Sequence, residues 1–378
     1  MSSIDDYLAG FGEEPGYLDY GRIGPLSEAV RSEMMLQAEV LGRARHGSLE
    51  PLLDAGGRFH EAVSVMTGFP ATNIVTQPNT STGLMHVMFG LTGGILLSPH
   101  EFPSLTFAVQ RAAEKMHVLE PTWLETDGGR VTPARIREQL TDQTVAVAVS
   151  LVDSRTGYLS DIEGIRQVIG DDRLLIVDAI QGFGVVDAPY EVADVVTTGG
   201  QKWMRAGWGT GFLALSDRAI HELVPVFSGW TGIEEDDPTA GGWDAVSEPA
   251  SAARAFQTTN ADKVAESRFA AALEDLAAVG VQQVSALVAE RTAQVIDLAD
   301  EFGVAVASSR AEHERAGMVV LDLEDDQLNP LTASLHNHGL TATVRQGSVR
   351  ISCHAGTTDE TLTMLRDAFV SFGTAVTY

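Results

Sequence analysis

The sequence predicts an α/β fold: a large domain built on a mostly parallel sheet, and a smaller α+β domain after it. Three observations lead there. Short apolar runs alternate with amphipathic stretches up to about residue 215. Those runs are continuous in Val, Ile and Leu rather than alternating with polar residues, which suits strands buried on both faces. Past about residue 230 the pattern changes to two long helical stretches and a second set of short strands.

In chain order, the apolar runs predict strands at 73–76, 94–97, 145–152, 174–178, 194–198 and 211–215. The amphipathic stretches 82–91, 104–115, 132–140 and 161–169 read as the connecting helices. Residues 229–242, rich in Gly, Asp, Glu and Thr, read as a long loop. Segments 261–279 and 281–302 read as long helices parted at Gly280, the poorest helix former after proline. Strands are expected at 303–307, 318–323, 340–344 and 349–352, and helices at 331–337 and 359–372. The boundary falls near 254–260, giving domains 17–255 and 256–378, the second with residues 1–16.

Composition excludes several functions. The net charge is −27, and a phosphate-reading surface needs clustered Lys and Arg, so no nucleic-acid partner is expected. The same deficit opposes docking on an anionic membrane. Cys353 is the single cysteine, so neither a disulfide framework nor a multi-cysteine metal site can form, and no metal is expected. No apolar run approaches the ~18 residues of a membrane span, and residues 1–16 lack a signal-like apolar core. The expectation is a soluble cytoplasmic protein.

Two residues carry the chemistry. The apolar run Leu174–Asp178 ends in a carboxylate, and open α/β sheets bind ligands at the carboxyl ends of their strands. Alone, such an Asp is more often a turn residue. Lys202 follows the next apolar run, beside Trp203 and Met204, and is the only lysine between Lys115 and Lys263. Desolvation there lowers an amine's pKa and makes it a nucleophile for carbonyl chemistry. The competing reading is a snorkelling surface lysine, but the Gly-rich turn 207–211 points to close backbone packing around it. An Asp and a Lys on consecutive strand ends suit pyridoxal phosphate, which needs a lysine for its Schiff base and an acid at its ring nitrogen. A nicotinamide dehydrogenase lacks support, because no G-x-G-x-x-G opens a first helix.

The stretches Asp178-Ala179-Ile180-Gln181, Gly200-Gln201-Lys202-Trp203 and 207–212 resemble the class V aminotransferase family of fold-type I pyridoxal-phosphate enzymes. That family includes cysteine desulfurases, kynureninases, isopenicillin N epimerase-like proteins and many transaminases. The resemblance runs from Tyr17 to Phe372. It implies that Lys202 is the Schiff-base lysine and proton carrier, Asp178 the partner of the ring nitrogen, and Gln181 the partner of the phenolic oxygen. It places Thr80 and Ser81, in the loop 77–83, on the cofactor phosphate; hydroxyls and N–H groups at a helix start suit an anion. Phe102 stands where the family sets a ring over the cofactor, a kynureninase-like choice. Gln201 replaces the His that many members carry; its amide can donate to phosphate but cannot titrate. Trp230 and Thr231, in 229–232, resemble a segment that a neighbouring subunit inserts, which implies a homodimer with shared active sites. Arg350, in 347–354, matches the arginine that grips the substrate α-carboxylate with its planar fork. Residues 17–20 and 24–27 resemble the N-terminal segment on the substrate side. Arg22 within it is a substrate-binding candidate, with Arg155 and Arg205 weaker ones. His46, His100 and His354 are expected to be structural.

The implied substrate is an amino acid, and the expected reaction is of aminotransferase type. A lyase of the kynureninase or carbon–sulfur kind, or an epimerase, stays open. A desulfurase needs a nucleophilic cysteine on the loop before the arginine; segment 339–349 has none, and Cys353 lies past Arg350 in an expected strand, as a small buried hydrophobe. A non-catalytic binding or regulatory protein on the same fold is the alternative from a different class, opposed by the presence of both Asp178 and Lys202.

Overall fold

The computed structural model describes residues 3–235, 246–345 and 347–376. Helices α1 Ile4–Ala9, α2 Glu28–Arg43, α3 Glu50–Leu53 and α4 Ala55–Thr67 precede strand β1 Ile74–Thr76. Then α5 Thr80–Gly90, β2 Gly93–Leu97, α6 Pro103–Arg111, β3 Leu119–Trp123, α7 Pro133–Gln139, β4 Thr144–Ser150, α8 Ile162–Ile169 and β5 Leu174–Asp178 alternate. β6 Val195–Gly199, β7 Gly211–Leu215 and α9 Asp217–Glu222 complete the first part. The second part runs α10 Lys263–Val279, α11 Val281–Glu301, β8 Met318–Asp322, α12 Asp325–Asn337, β9 Thr343–Arg345, β10 Ser348–Ser352 and α13 Asp359–Val376.

The main sheet has the order β1-β7-β6-β5-β4-β2-β3. β7 runs antiparallel to both its neighbours, and the other pairs are parallel. Every residue of β5, β6 and β7 is buried, as their unbroken apolar sequences require. A small antiparallel sheet, β8-β10-β9, lies in the second part.

The expected α/β architecture is present, with local differences. β3 is absent from the sequence reading because Leu119–Trp123 holds Glu120 and Pro121 and sits, partly exposed, at the sheet edge, where proline is tolerated. The expected strand 303–307 does not form; Val306 alone bridges to Leu321. α12 begins six residues before the expected 331, starting on a Glu324/Gln327 capping box and running through Pro330. In the expected loop 229–242, the described residues 229–235 hold no regular element, and 236–242 lie outside the described residues.

Core packing crosses the expected boundary near 254–260. α10 packs against α2 and α4, and Val284 and Val288 of α11 join the same core, together with Tyr7 of α1. Farther along α11, Val295, Ile296 and Ala299 belong to a second core with β8, β10, α12 and α13. Leu18 also belongs to this second core, and its neighbours Tyr17 and Asp19 bridge to Thr341 and Ser352.

Candidate active site

The site forms where β5 and β6 end. Asp178 closes β5, level with Thr197 on β6, and is 1% exposed. Its Oδ1 accepts the Ile180 N–H at 3.0 Å, while Oδ2 is buried without a partner. Burial pushes this carboxyl up to about 6. The chain then turns beyond β6 to Lys202, half-buried, whose Nζ stands 5.5 Å from the centre of the Phe102 ring. Burial brings this amine down to about 8; Asp178 pulls it back up, and Arg350 and Arg345 push it further down. The lysine turn is held from the other side by the N-terminal segment. The Gly24 N–H donates to the Gln201 carbonyl at 2.8 Å, and a Cβ on Gly24 would meet the Lys202 carbonyl oxygen at 2.1 Å.

At the mouth of the neighbouring strands, α5 starts on an Asn79 cap whose Oδ1 accepts from the Thr82 N–H at 3.0 Å. The buried Thr80 Oγ1 has no partner, and Ser81 Oγ lies 2.6 Å from Ser104 Oγ. Gln181 is buried with its amide engaged: Nε2 donates to the Gly21 carbonyl at 2.9 Å, and Oε1 accepts from Trp203 Nε1 at 3.0 Å. Gln201 is half-buried beside the lysine.

Arg350 arrives from β10 and is 3% exposed. Nη1 donates to the Ser154 carbonyl at 3.0 Å and Nη2 to Thr343 Oγ1 at 3.1 Å; Nε is buried and free of partners. Asp19 Oδ1 is 3.9 Å from Nη2 and accepts from Thr343 Oγ1. Burial lowers Arg350 to about 10, Arg345 adds to the fall and Asp19 opposes it.

Other expected residues lie elsewhere. Trp230 is half exposed and donates to Thr259 Oγ1 at 3.3 Å; Thr231 Oγ1 is buried without a partner. Their segment packs on Gln257–Thr258 of its own chain. Arg22 is 77% exposed, 3.8 Å from Asp19. Arg155, half-buried, pairs with Asp153 at 3.3 Å. Arg205 is a buried structural group: it grips both oxygens of Glu13, donates to the Pro25 carbonyl and lies over the Phe11 ring at 3.7 Å. His46 and His100 are exposed. His354 is buried and stacked on Tyr20, and desolvation lowers it to about 3, so it stays neutral. Buried Cys353 is pushed up to about 12 by desolvation. Among the described residues no group of three or more His, Cys, Asp or Glu is placed to hold a metal, and no single helix is long and apolar enough to cross a membrane.

Sequence reasoning missed Asp19, Glu101 and Arg345. Buried Glu101 accepts from the N–H and Oγ of Ser150, at 3.1 and 2.5 Å, and desolvation lifts it to about 8. Arg345 carried a legible signal: it precedes Arg350 by five residues, between the expected strands 340–344 and 349–352.

Asp178 Oδ2, an acceptor, and the Thr80 hydroxyl, which can donate, are both buried without partners, and Lys202 is an amine of lowered pKa. That donor and acceptor set fits pyridoxal phosphate: an acid for the ring nitrogen, a helix start for the phosphate and an amine for the aldehyde. A family model, Aminotransferase class-V, matches residues 58–373.

The chain belongs to the class V aminotransferase family.

It is therefore a class V aminotransferase-like enzyme, in a family that depends on pyridoxal phosphate and acts on amino acids. It is 26% identical over 341 residues to the uncharacterized aminotransferase YcbU of Bacillus subtilis, covering 85% of this chain and 88% of that one. The apo structure of a cysteine desulfurase from Thermococcus onnurineus NA1 matches with a TM-score of 0.84 at 20% identity, over 97% of each chain. A mutant of the lyase C-DES, with glycine covalently linked to its PLP cofactor, matches with a TM-score of 0.84 at 18% identity, over 94% of this chain and 96% of that one. At these identities the two structures bear on the fold alone.

Proposed function

We propose that this class V family member is an aminotransferase-type enzyme that binds pyridoxal phosphate at Lys202 and takes an amino acid held by Arg350. The observation that carries this reading is the buried Asp178 with a free Oδ2, set with Lys202 at adjacent strand ends. Bound there, the cofactor supplies an electron sink for the substrate's Cα–H bond. Asp178 would hold the ring nitrogen, Thr80 and Ser81 with Gln201 the phosphate, and Phe102 one ring face. Gln181 keeps one amide hydrogen free for the phenolic oxygen after its bond to Gly21. Lys202 Nζ, with a pKa of about 8, can both lose and regain a proton near neutral pH, which suits the base that takes the Cα proton. Arg350 fixes the α-carboxylate, so the Cα–H bond faces Lys202 reproducibly.

Transfer of the amino group, rather than desulfuration on the protein's own thiol, is supported by Cys353. It is the only cysteine, fully buried, and its raised pKa leaves it unreactive. We place the enzyme as a homodimer in which Trp230 and Thr231 approach the partner's site; the half-exposed Trp230 ring leaves a free apolar face there.

The test is to titrate holoprotein with single amino acids without an oxo acid. Stoichiometric conversion of the cofactor to its amine form, with release of the matching oxo acid, is expected. Release of pyruvate, alanine or sulfide with the cofactor unchanged refutes it. Borohydride reduction should fix the cofactor covalently to the wild-type protein and not to Lys202→Ala.

A further inference from the structure

The cations around Lys202 outnumber the acids that can answer them. Lys202, Arg345 and Arg350 face one another closely enough for both arginines to depress the lysine. The acids acting on that lysine are Asp178 and Asp19. Asp178 suits a ring nitrogen, and Asp19 is bound by Thr343 and shared with Arg350 and Arg22. An α-carboxylate answers Arg350. Arg345 has no carboxylate within ion-pair distance among the described residues. Arg173 and Arg268, also half-buried, lack a carboxylate too, but Arg173 donates to the Thr144 and Ile169 carbonyls at 3.0 and 3.2 Å and Arg268 to the Trp208 carbonyl, whereas the one hydrogen bond of Arg345 among the described residues is 3.5 Å long.

Register sets the two guanidinium groups side by side. β9 pairs antiparallel with β10, so Arg350 opposes Thr343 and Arg345 opposes Ser348. Residues two apart on a strand share a face, so Arg345 lies on the face that carries Thr343 and Arg350. Both arginines donate Nη1 to one acceptor, the Ser154 carbonyl, at 3.0 Å for Arg350 and 3.5 Å for Arg345. Two forks converging on one oxygen are near enough for a single small dianion to span them.

We propose that Arg345 sets specificity for amino acids with an acidic side chain, gripping a side-chain carboxylate while Arg350 holds the α-carboxylate. This rests on the reading of Arg350 given above. A planar fork pairs with a carboxylate bidentately, and leaving it unpaired against a neutral side chain forfeits those bonds.

The experiment measures calorimetric binding of succinate and propionate, which lack an amine and do not react, to the cofactor-loaded protein. Wild type should bind succinate about tenfold or more tighter than propionate. Arg345→Gln should erase that preference and leave propionate unchanged, and Arg345→Lys should keep part of it. Equal affinities in wild type, or a preference that survives Arg345→Gln, overturn the assignment. The parent reading fails separately: if propionate binds Arg350→Gln as well as wild type, Arg350 does not hold the carboxylate and the assignment of Arg345 falls with it.

Discussion

Lys202 should capture pyridoxal phosphate with a pH profile set by its own surroundings. The free amine is the reactive form, and burial brings the group from an ordinary 10.5 to about 8. At pH 7 an amine with a pKa of 8 is about one part in eleven unprotonated, against about one part in three thousand for an ordinary lysine, a gain of about 300-fold. Two substitutions move the profile in opposite directions. Asp178 raises the lysine, so Asp178→Asn should bring the midpoint below 8; Arg350 depresses it, so Arg350→Gln should move it above 8. The assay is stopped-flow absorbance of cofactor mixed with apoprotein across pH 6–11. Each rate is divided by the rate constant of a simple alkylamine's free-base form at the same pH, which removes the cofactor's own titration. A wild-type midpoint near 10.5, or an Arg350→Gln profile moved down, would refute the reasoning.

Three further outcomes follow from the same geometry. Asp178→Asn should stabilise the apoprotein while crippling turnover. The folded carboxyl titrates near 6 rather than 3.8, so wild type loses up to about 3 kcal/mol as pH rises through 6 and the Asn variant does not; equal urea midpoints at pH 8 contradict this. Arg205→Ala strands Glu13 and should cost about 3–5 kcal/mol in urea unfolding, with unchanged stability contradicting the structural role. Gly21→Ala puts a Cβ 2.8 Å from Ser352 Oγ and 3.1 Å from Arg350 Cζ; displacing that fork should raise KM for the amino acid about tenfold or more and leave cofactor affinity alone, and an unchanged KM refutes it.

How much of this was legible in the sequence differs by element. β5 was readable to the residue, because Leu174–Asp178 is buried along its whole length and its apolar run has no competing explanation. Lys202 stood out because the chain holds only Lys115, Lys202 and Lys263, so a lysine after a buried strand is conspicuous. β3 was illegible for the opposite reason: an edge strand has one wet side and tolerates Pro121. The arginines divide on what sequence cannot carry. Arg22 and Arg205 lie three residues apart from Asp19 and Lys202, yet the first points to solvent and the second inward to Glu13. Direction comes from packing, not from neighbourhood. Asp19 was invisible because its partner Thr343 lies 324 residues away.

That long-range contact is also what joins the two halves of the site. Lys202 and Asp178 are fixed by the main sheet, and Arg350 by the small one. Residues 17–24 tie them together. Tyr17 and Asp19 bridge to Thr341 and Ser352 on the Arg350 side, while the Gly21 carbonyl accepts from Gln181 and the Gly24 N–H donates to Gln201 on the lysine side. Glycine is required at both crossings, since a Cβ at either would meet an active-site group within about 3 Å. The separation between the Lys202 amine and the Arg350 and Arg345 forks is therefore set by this short segment, more than by either sheet alone. Substitutions in it should act on substrate geometry first and on cofactor retention second, because the cofactor's candidate partners Asp178 and Thr80 belong to the main sheet and to α5.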